Sequence, residues 1–368
     1  SLDLGLRVGS RTDSAPINLT PRESLFEPIF EIPGPHSLGG FQMNRSLLRF
    51  RVLAALIGLS AAFSAVASEK DKNHPDHLWT QDRNAYRSYD ASGPARSFHR
   101  VPRSLRPLRL NEEYLLDTLK SLTGVKDPVL GNRGSKAGRL AAREFMRKEF
   151  ESFGFKVTEQ AYRTGVNLIA EKAGRSGKFL VVSAHYDSVG NAGADDDGTG
   201  VIAMLNTARM LRTENLKHGL RFVAFDEEEL GLVGSKAYVK DLVSKGEKGI
   251  ILGDLQMEML GYNARKDGKF HVISCDRKDS EFLVGAMVQA VRNLGDQVKI
   301  TSACTDRSDH DSFWTAGLPA IVISENFFGG DSNPCYHRSC DKIEGMHFDY
   351  FSKLAEVAAN AIRLIVVD

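Results

Sequence analysis

The sequence predicts an α/β fold: a mostly parallel or mixed central sheet with helices on both faces. Three observations lead there. From residue 110 onward, short apolar runs alternate with amphipathic stretches. The runs at 181–184 and 220–225 are apolar almost throughout, as strands buried on both faces are. Acidic or histidine-bearing residues then follow those runs, at the carboxyl ends of strands, where open α/β sheets collect ligands.

Taken in order, Leu115, Leu119 and Leu122 keep helical spacing, and 137–153 forms a second amphipathic helix that stops near Gly154. Strands are expected at 156–163, 167–171 and 179–184, a helix at 198–212, a strand at 220–225 and a helix at 232–244. Further strands fall at 250–257, 271–274, 298–300 and 320–324, with helices at 280–293 and 348–365. No internal repeat or low-complexity tract interrupts them, and one domain of about 260 residues accounts for the pattern.

The 368 residues carry a formal charge of +1, with no basic run outside the N-terminal third, so no nucleic-acid partner is expected. Residues 43–67 read as an export signal: Arg45, Arg49 and Arg51 precede an apolar run at 52–63, and Ala65-Val66-Ala67 supplies small residues for cleavage near Ala67. That run falls short of the roughly 20 residues of a membrane span, so no stable membrane anchor is expected. Without an arginine pair the general secretory route is favoured, leading to a secreted or periplasmic product. Residues 1–42 read as upstream sequence before a native start at Met43, 68–109 as a polar, propeptide-like leader, and 110–368 as the main folded domain. Four cysteines suit an oxidising compartment. Cys335 and Cys340 are close enough to staple a loop around His337, while Cys275 and Cys304 either form a second bridge or stay as buried thiols.

Five stretches carry chemistry. His185 should emerge at a strand's carboxyl end, with Asp187 two residues on to accept the other imidazole N–H. Asp195, Asp196 and Asp197 open the helix at 198, more carboxylates than a helix cap needs, and they would repel a phosphate. Asp226 through Glu229 follow the next buried strand, where two adjacent glutamates can divide metal binding and proton transfer. Asp254, Gln256 and Glu258 share one face at the strand period, and either acid could reach a metal. Last, His337 lies between Cys335 and Cys340. Together these supply two histidines, several carboxylates and a spare glutamate. Ser308-Asp309-His310 could suggest a serine triad, but no Gly-x-Ser-x-Gly elbow accompanies it.

As an ordered set these stretches resemble the exported double-zinc aminopeptidase family, whose relatives include glutamate carboxypeptidase and glutaminyl cyclase. The resemblance runs over 110–368 and implies a zinc exopeptidase fold and two zinc ions per chain. It makes Asp196 the bridging carboxylate, with His185 and Glu258 on one ion, Glu229 and His337 on the other, and Glu228 the general base. Tyr336 matches a position that hydrogen-bonds the substrate carbonyl, and Arg307 and His310 fall in a segment lining the site. One departure stands out: the family usually has Asp where this chain has Glu258, and Asp254 is the fallback ligand. The implied reaction is removal of N-terminal residues from peptides with a free N-terminus. The alternatives are a carboxypeptidase or a dipeptidase on the same metal centre, or a glutaminyl-peptide cyclotransferase, which zinc near one per chain would mark; a non-catalytic receptor-like domain would have no need of the base.

Overall fold

The computed structural model describes residues 105–367. The export signal, its cleavage site and most of the polar leader lie outside the described residues. The chain is already docked at residues 105–110: Leu108 exchanges backbone hydrogen bonds with the Asn360 amide in both directions, and Arg363 donates to the Arg106 carbonyl.

Helix α1 (Glu112–Leu122) starts where the Asn111 side chain accepts from Tyr114 N, and α2 (Lys136–Ser152) where Ser135 accepts from Gly138 N. There follow β1 (Lys156–Ala161), β2 (Val166–Lys172), β3 (Phe179–His185), α3 (Gly198–Leu211), β4 (Gly219–Phe225) and α4 (Val233–Ser244). The second half contains β5 (Ile251–Glu258), β6 (Lys269–Ile273), α5 (Glu281–Asn293), β7 (Lys299–Ala303), α6 (His310–Thr315), β8 (Ala320–Glu325) and α7 (Phe348–Val366). The expected elements all form. Helix α6 was not expected, because six residues beginning His-Asp-Ser are too few and too polar to show a period. The seventh strand also extends three residues further than its apolar run.

The eight strands make one mixed sheet in the order β1-β2-β4-β3-β5-β8-β6-β7. Its centre is parallel: β3 lies between β4 and β5, and β5 also pairs with β8 in parallel. Antiparallel pairings join β1 to β2, β2 to β4 and β6 to β8. Alternation along β3 sends Leu180, Val182 and Ala184 into the larger core and Val181 into a smaller one. On the larger side α3 is buried around most of its circumference, packed under α1, α2 and α7. On the other side Tyr238, Val239 and Leu242 of α4 and Phe313 of α6 close over Val181, Val223 and Phe225. The parallel register of β6 and β7, with Ile273 opposite Ala303, brings the next cysteines together, and Cys275 and Cys304 are disulfide-bonded across a Cα separation of 4.7 Å. Among the described residues no helix is long and apolar enough to cross a membrane.

Candidate metal centre

Three neighbouring parallel strands deliver the first groups. His185 ends β3, Glu258 ends β5, and Asp226 to Glu229 follow β4 directly. Because Ser183 lies opposite Gln256, His185 and Glu258 leave the sheet side by side. Asp196 comes from the loop that leads into α3, and His337 from the loop closed by the Cys335–Cys340 disulfide.

These side chains converge on one carboxylate. Asp196 Oδ1 lies 3.2 Å from His185 Nε2, which is also 3.4 Å from Glu258 Oε1. Asp196 Oδ2 lies 3.1 Å from His337 Nε2, which is also 3.1 Å from Glu229 Oε2. Two atoms each about 2.0–2.1 Å from a shared tetrahedral zinc stand about 3.3 Å apart, so the spacing suits an ion on each side of Asp196. The charges agree. Burial alone would raise the Asp196 carboxyl, yet hydrogen bonds from both imidazoles hold it below the ordinary carboxylate range. Against the opposing effect of burial, Asp196 and Glu229 push His337 up to about 10, so this pocket draws positive charge strongly. Glu229 Oε1 is buried and accepts no hydrogen bond among the described residues. Divalent cations replacing those protons would satisfy the cluster, and the residues fit a zinc pair.

Asp197 also comes within reach of His185 and Glu258. Its oxygens are taken, however: they accept backbone N–H groups from His185, Gly200 and Met259, so Asp197 ties three segments together and Asp196 is left to face the two imidazoles. Asp187 lies 3.4 Å from His185 Nδ1 and accepts from the backbone amides of Glu228 and Glu229, fixing the imidazole and the β4 loop at once. Asp254, the fallback ligand, is not brought to the site; both its oxygens accept from Ser183 Oγ.

Glu228 lines a cleft shared with Asp196, Glu258, His337, Tyr336, Arg307 and His310. Burial, reinforced by the Glu229 charge, holds its carboxyl well above the usual range. Tyr336 stacks on the His337 ring at 3.8 Å. His310 lines the cleft but is turned inward: its Nε2 donates to the Thr305 carbonyl and its ring packs edge-on to Trp314. No serine triad forms, since Ser308 Oγ donates to Glu258 Oε2 rather than to a histidine.

Sequence reasoning missed several supporting residues. Asp341 accepts from the Asp195 and Asp196 amides, tying the stapled loop to the bridging loop. Arg133, fully buried, donates to the carbonyls of Tyr186, Leu122, Ala192 and Gly193 and so fixes the segment between His185 and Asp196. Only the position of Asp341 directly after Cys340 could have drawn attention to it.

The family model for peptidase family M28 matches residues 167–362. Leupeptin-inactivating enzyme 1 of Streptomyces exfoliatus is 32% identical over 257 residues, covering 63% of this chain and 57% of that protein. Aminopeptidase YwaD of Bacillus subtilis is 29% identical, covering 68% and 55%. The chain thus spans little more than half the length of these relatives. The solved structure of BSAP, a zinc aminopeptidase from Bacillus subtilis, superposes with a TM-score of 0.51 at 28% identity, over 55% of this chain and 50% of that one. With the fold, the converging groups and the family model in agreement over more than half of its residues, the chain belongs to peptidase family M28.

Proposed function

We propose that this chain is a zinc-dependent aminopeptidase that removes N-terminal residues from peptides. One observation carries the reading: each oxygen of Asp196 faces a different imidazole, each imidazole is backed by its own glutamate, and Glu228 lines the adjoining cleft. His185, Asp196 and Glu258 would hold one ion, and His337, Asp196 and Glu229 the other. A zinc pair there supplies Lewis acidity for the scissile carbonyl and makes water acidic enough to be a nucleophile near neutral pH.

The protein's own groups do the rest. Glu228 takes the proton of the attacking water and returns it to the leaving amine, a double role suited to a carboxyl raised by burial. Tyr336, held against His337, donates to the carbonyl oxygen as it gains charge. Arg307 contacts substrate at the cleft wall, and His310 shapes that wall through Thr305.

Residues 68–109 act as a propeptide-like leader to a catalytic domain at 110–368, and the product is secreted or periplasmic after cleavage near Ala67. Two disulfides support an oxidising compartment. Chain beginning at Ser68, loaded with zinc, is expected to hydrolyse unblocked aminoacyl amides and to leave their N-acetylated counterparts intact. Equal hydrolysis of both, release from the carboxyl end, or cyclisation of N-terminal glutamine in place of hydrolysis would contradict the reading.

A further inference from the structure

Glu258 is one methylene longer than the aspartate usual at this position, and the structure shows what the extra length meets. Glu258 Oε2 accepts from Gln256 Nε2 at 3.0 Å and from Ser308 Oγ at 2.8 Å. Gln256 Nε2 also donates to Ser308 Oγ, so the three side chains close a ring of hydrogen bonds. The amide cannot turn over, because Gln256 Oε1 accepts from the His310 backbone N–H at 2.8 Å. Gln256 is fully buried and Ser308 nearly so, away from competing water. Only Oε1 remains for a cation, and it faces His185.

We infer that Gln256 and Ser308 are positioning residues that turn the longer Glu258 into a one-oxygen ligand aimed at the His185 side of the centre. An unbraced glutamate would spread over more rotamers than an aspartate and present its oxygens at varying depth. Gln256 lies one strand period before Glu258 on β5, and Ser308 is brought in by the turn into α6. The Ser308-Asp309-His310 segment thereby acquires a role, since its hydroxyl and its first helical amide fix the glutamate from the side away from the ions.

The inference rests on the two-ion reading, and zinc affinity tests the two separately. Zinc is titrated against a chelator with the full chain as wild type, Gln256→Leu, Ser308→Ala, Glu258→Asp and the pairwise combinations with Glu258→Asp. Gln256→Leu is expected to weaken one ion about tenfold, as loss of a ligand's hydrogen-bond partner commonly does, and to leave the other unchanged. Ser308→Ala should act in the same direction. In the Glu258→Asp background either change should add less than about twofold, because the brace no longer has its target. Thermal unfolding of the metal-free proteins shows whether each variant folds, and if Gln256→Leu does not, Ser308→Ala carries the same cycle. Equal losses in both backgrounds, or unchanged affinity in both brace variants, would overturn the inference. A wild type binding fewer than two ions would instead contradict the two-ion reading, and the cycle on the remaining ion would still decide the role of Gln256.

Discussion

The two halves of the centre are built by different means. His185 and Glu258 stand on the ends of adjacent parallel strands, so the sheet's own hydrogen bonds set their spacing. His337 stands on a six-residue disulfide loop in a left-handed backbone conformation, φ +55°, which costs a non-glycine residue roughly 1 kcal/mol. The sheet half is held by its place between paired strands. The loop half is held by the Cys335–Cys340 bond, by the Asp341 clamp on the Asp195 and Asp196 amides and by Asn191, which donates to the Arg338 carbonyl. On the proposed two-ion reading Asp196 is shared, so a slack loop half would leave the sheet half with most of its ligands.

Glu228 belongs to neither half, and its removal gives the largest effect. Glu228→Gln should lower turnover by a factor on the order of 10²–10⁴ with both ions retained, as zinc analysis beside a rate assay would show. Loss of metal in this variant would make Glu228 a ligand and break the division.

The contrast between the halves is sharpened by removing one disulfide at a time. Cys335→Ala with Cys340→Ala should weaken one zinc by about ten- to a hundredfold and spare the other. Cys275→Ala with Cys304→Ala should leave zinc affinity near wild type but lower the melting temperature more, since on the chain-entropy account the longer loop contributes about 3.5 kcal/mol against about 2. If both pairs lower zinc affinity alike, the loop has no special part.

Asp187 bridges the halves, sitting behind His185 and under the amides of Glu228 and Glu229. Asp187→Asn should therefore weaken both ions, each about tenfold in a chelator titration. An effect on one ion alone would place Asp187 wholly in one half.

The smallest effect comes from His271, away from the ions. Burial pushes its imidazole down to about 3, and the neutral ring accepts from Phe328 N. Its folded pKa lies below the unfolded value, so it contributes stability above about pH 6.5 that is lost as pH falls toward 3. Between pH 7 and pH 6 that loss is about 0.7 kcal/mol. Urea unfolding of metal-free wild type and His271→Gln should show the extra pH dependence in the wild type alone.

The same contrast explains what the sequence disclosed. His185 and the Asp226–Glu229 run were legible because each closes a buried apolar run, and a strand end has a known place in such a fold. His337 was legible only through the two cysteines around it and the family resemblance. What stayed hidden acts across distance: Asp341 reaches the Asp196 amide from 145 residues away, and Arg133 reaches the Tyr186 carbonyl from 53. Gln256 was visible as a neighbour of Glu258 on one strand face, but its partner His310 opens a helix too short to be foreseen, and Ser308 lies in the turn before it.

The central claim is that Asp196 is shared by two cations. Crystals of the zinc-loaded chain measured at the zinc absorption edge should show two anomalous peaks, one beside His185 and Glu258 and the other beside His337 and Glu229, with Asp196 touching both. A single peak, or two peaks with Asp196 bound to neither or to only one, would contradict it.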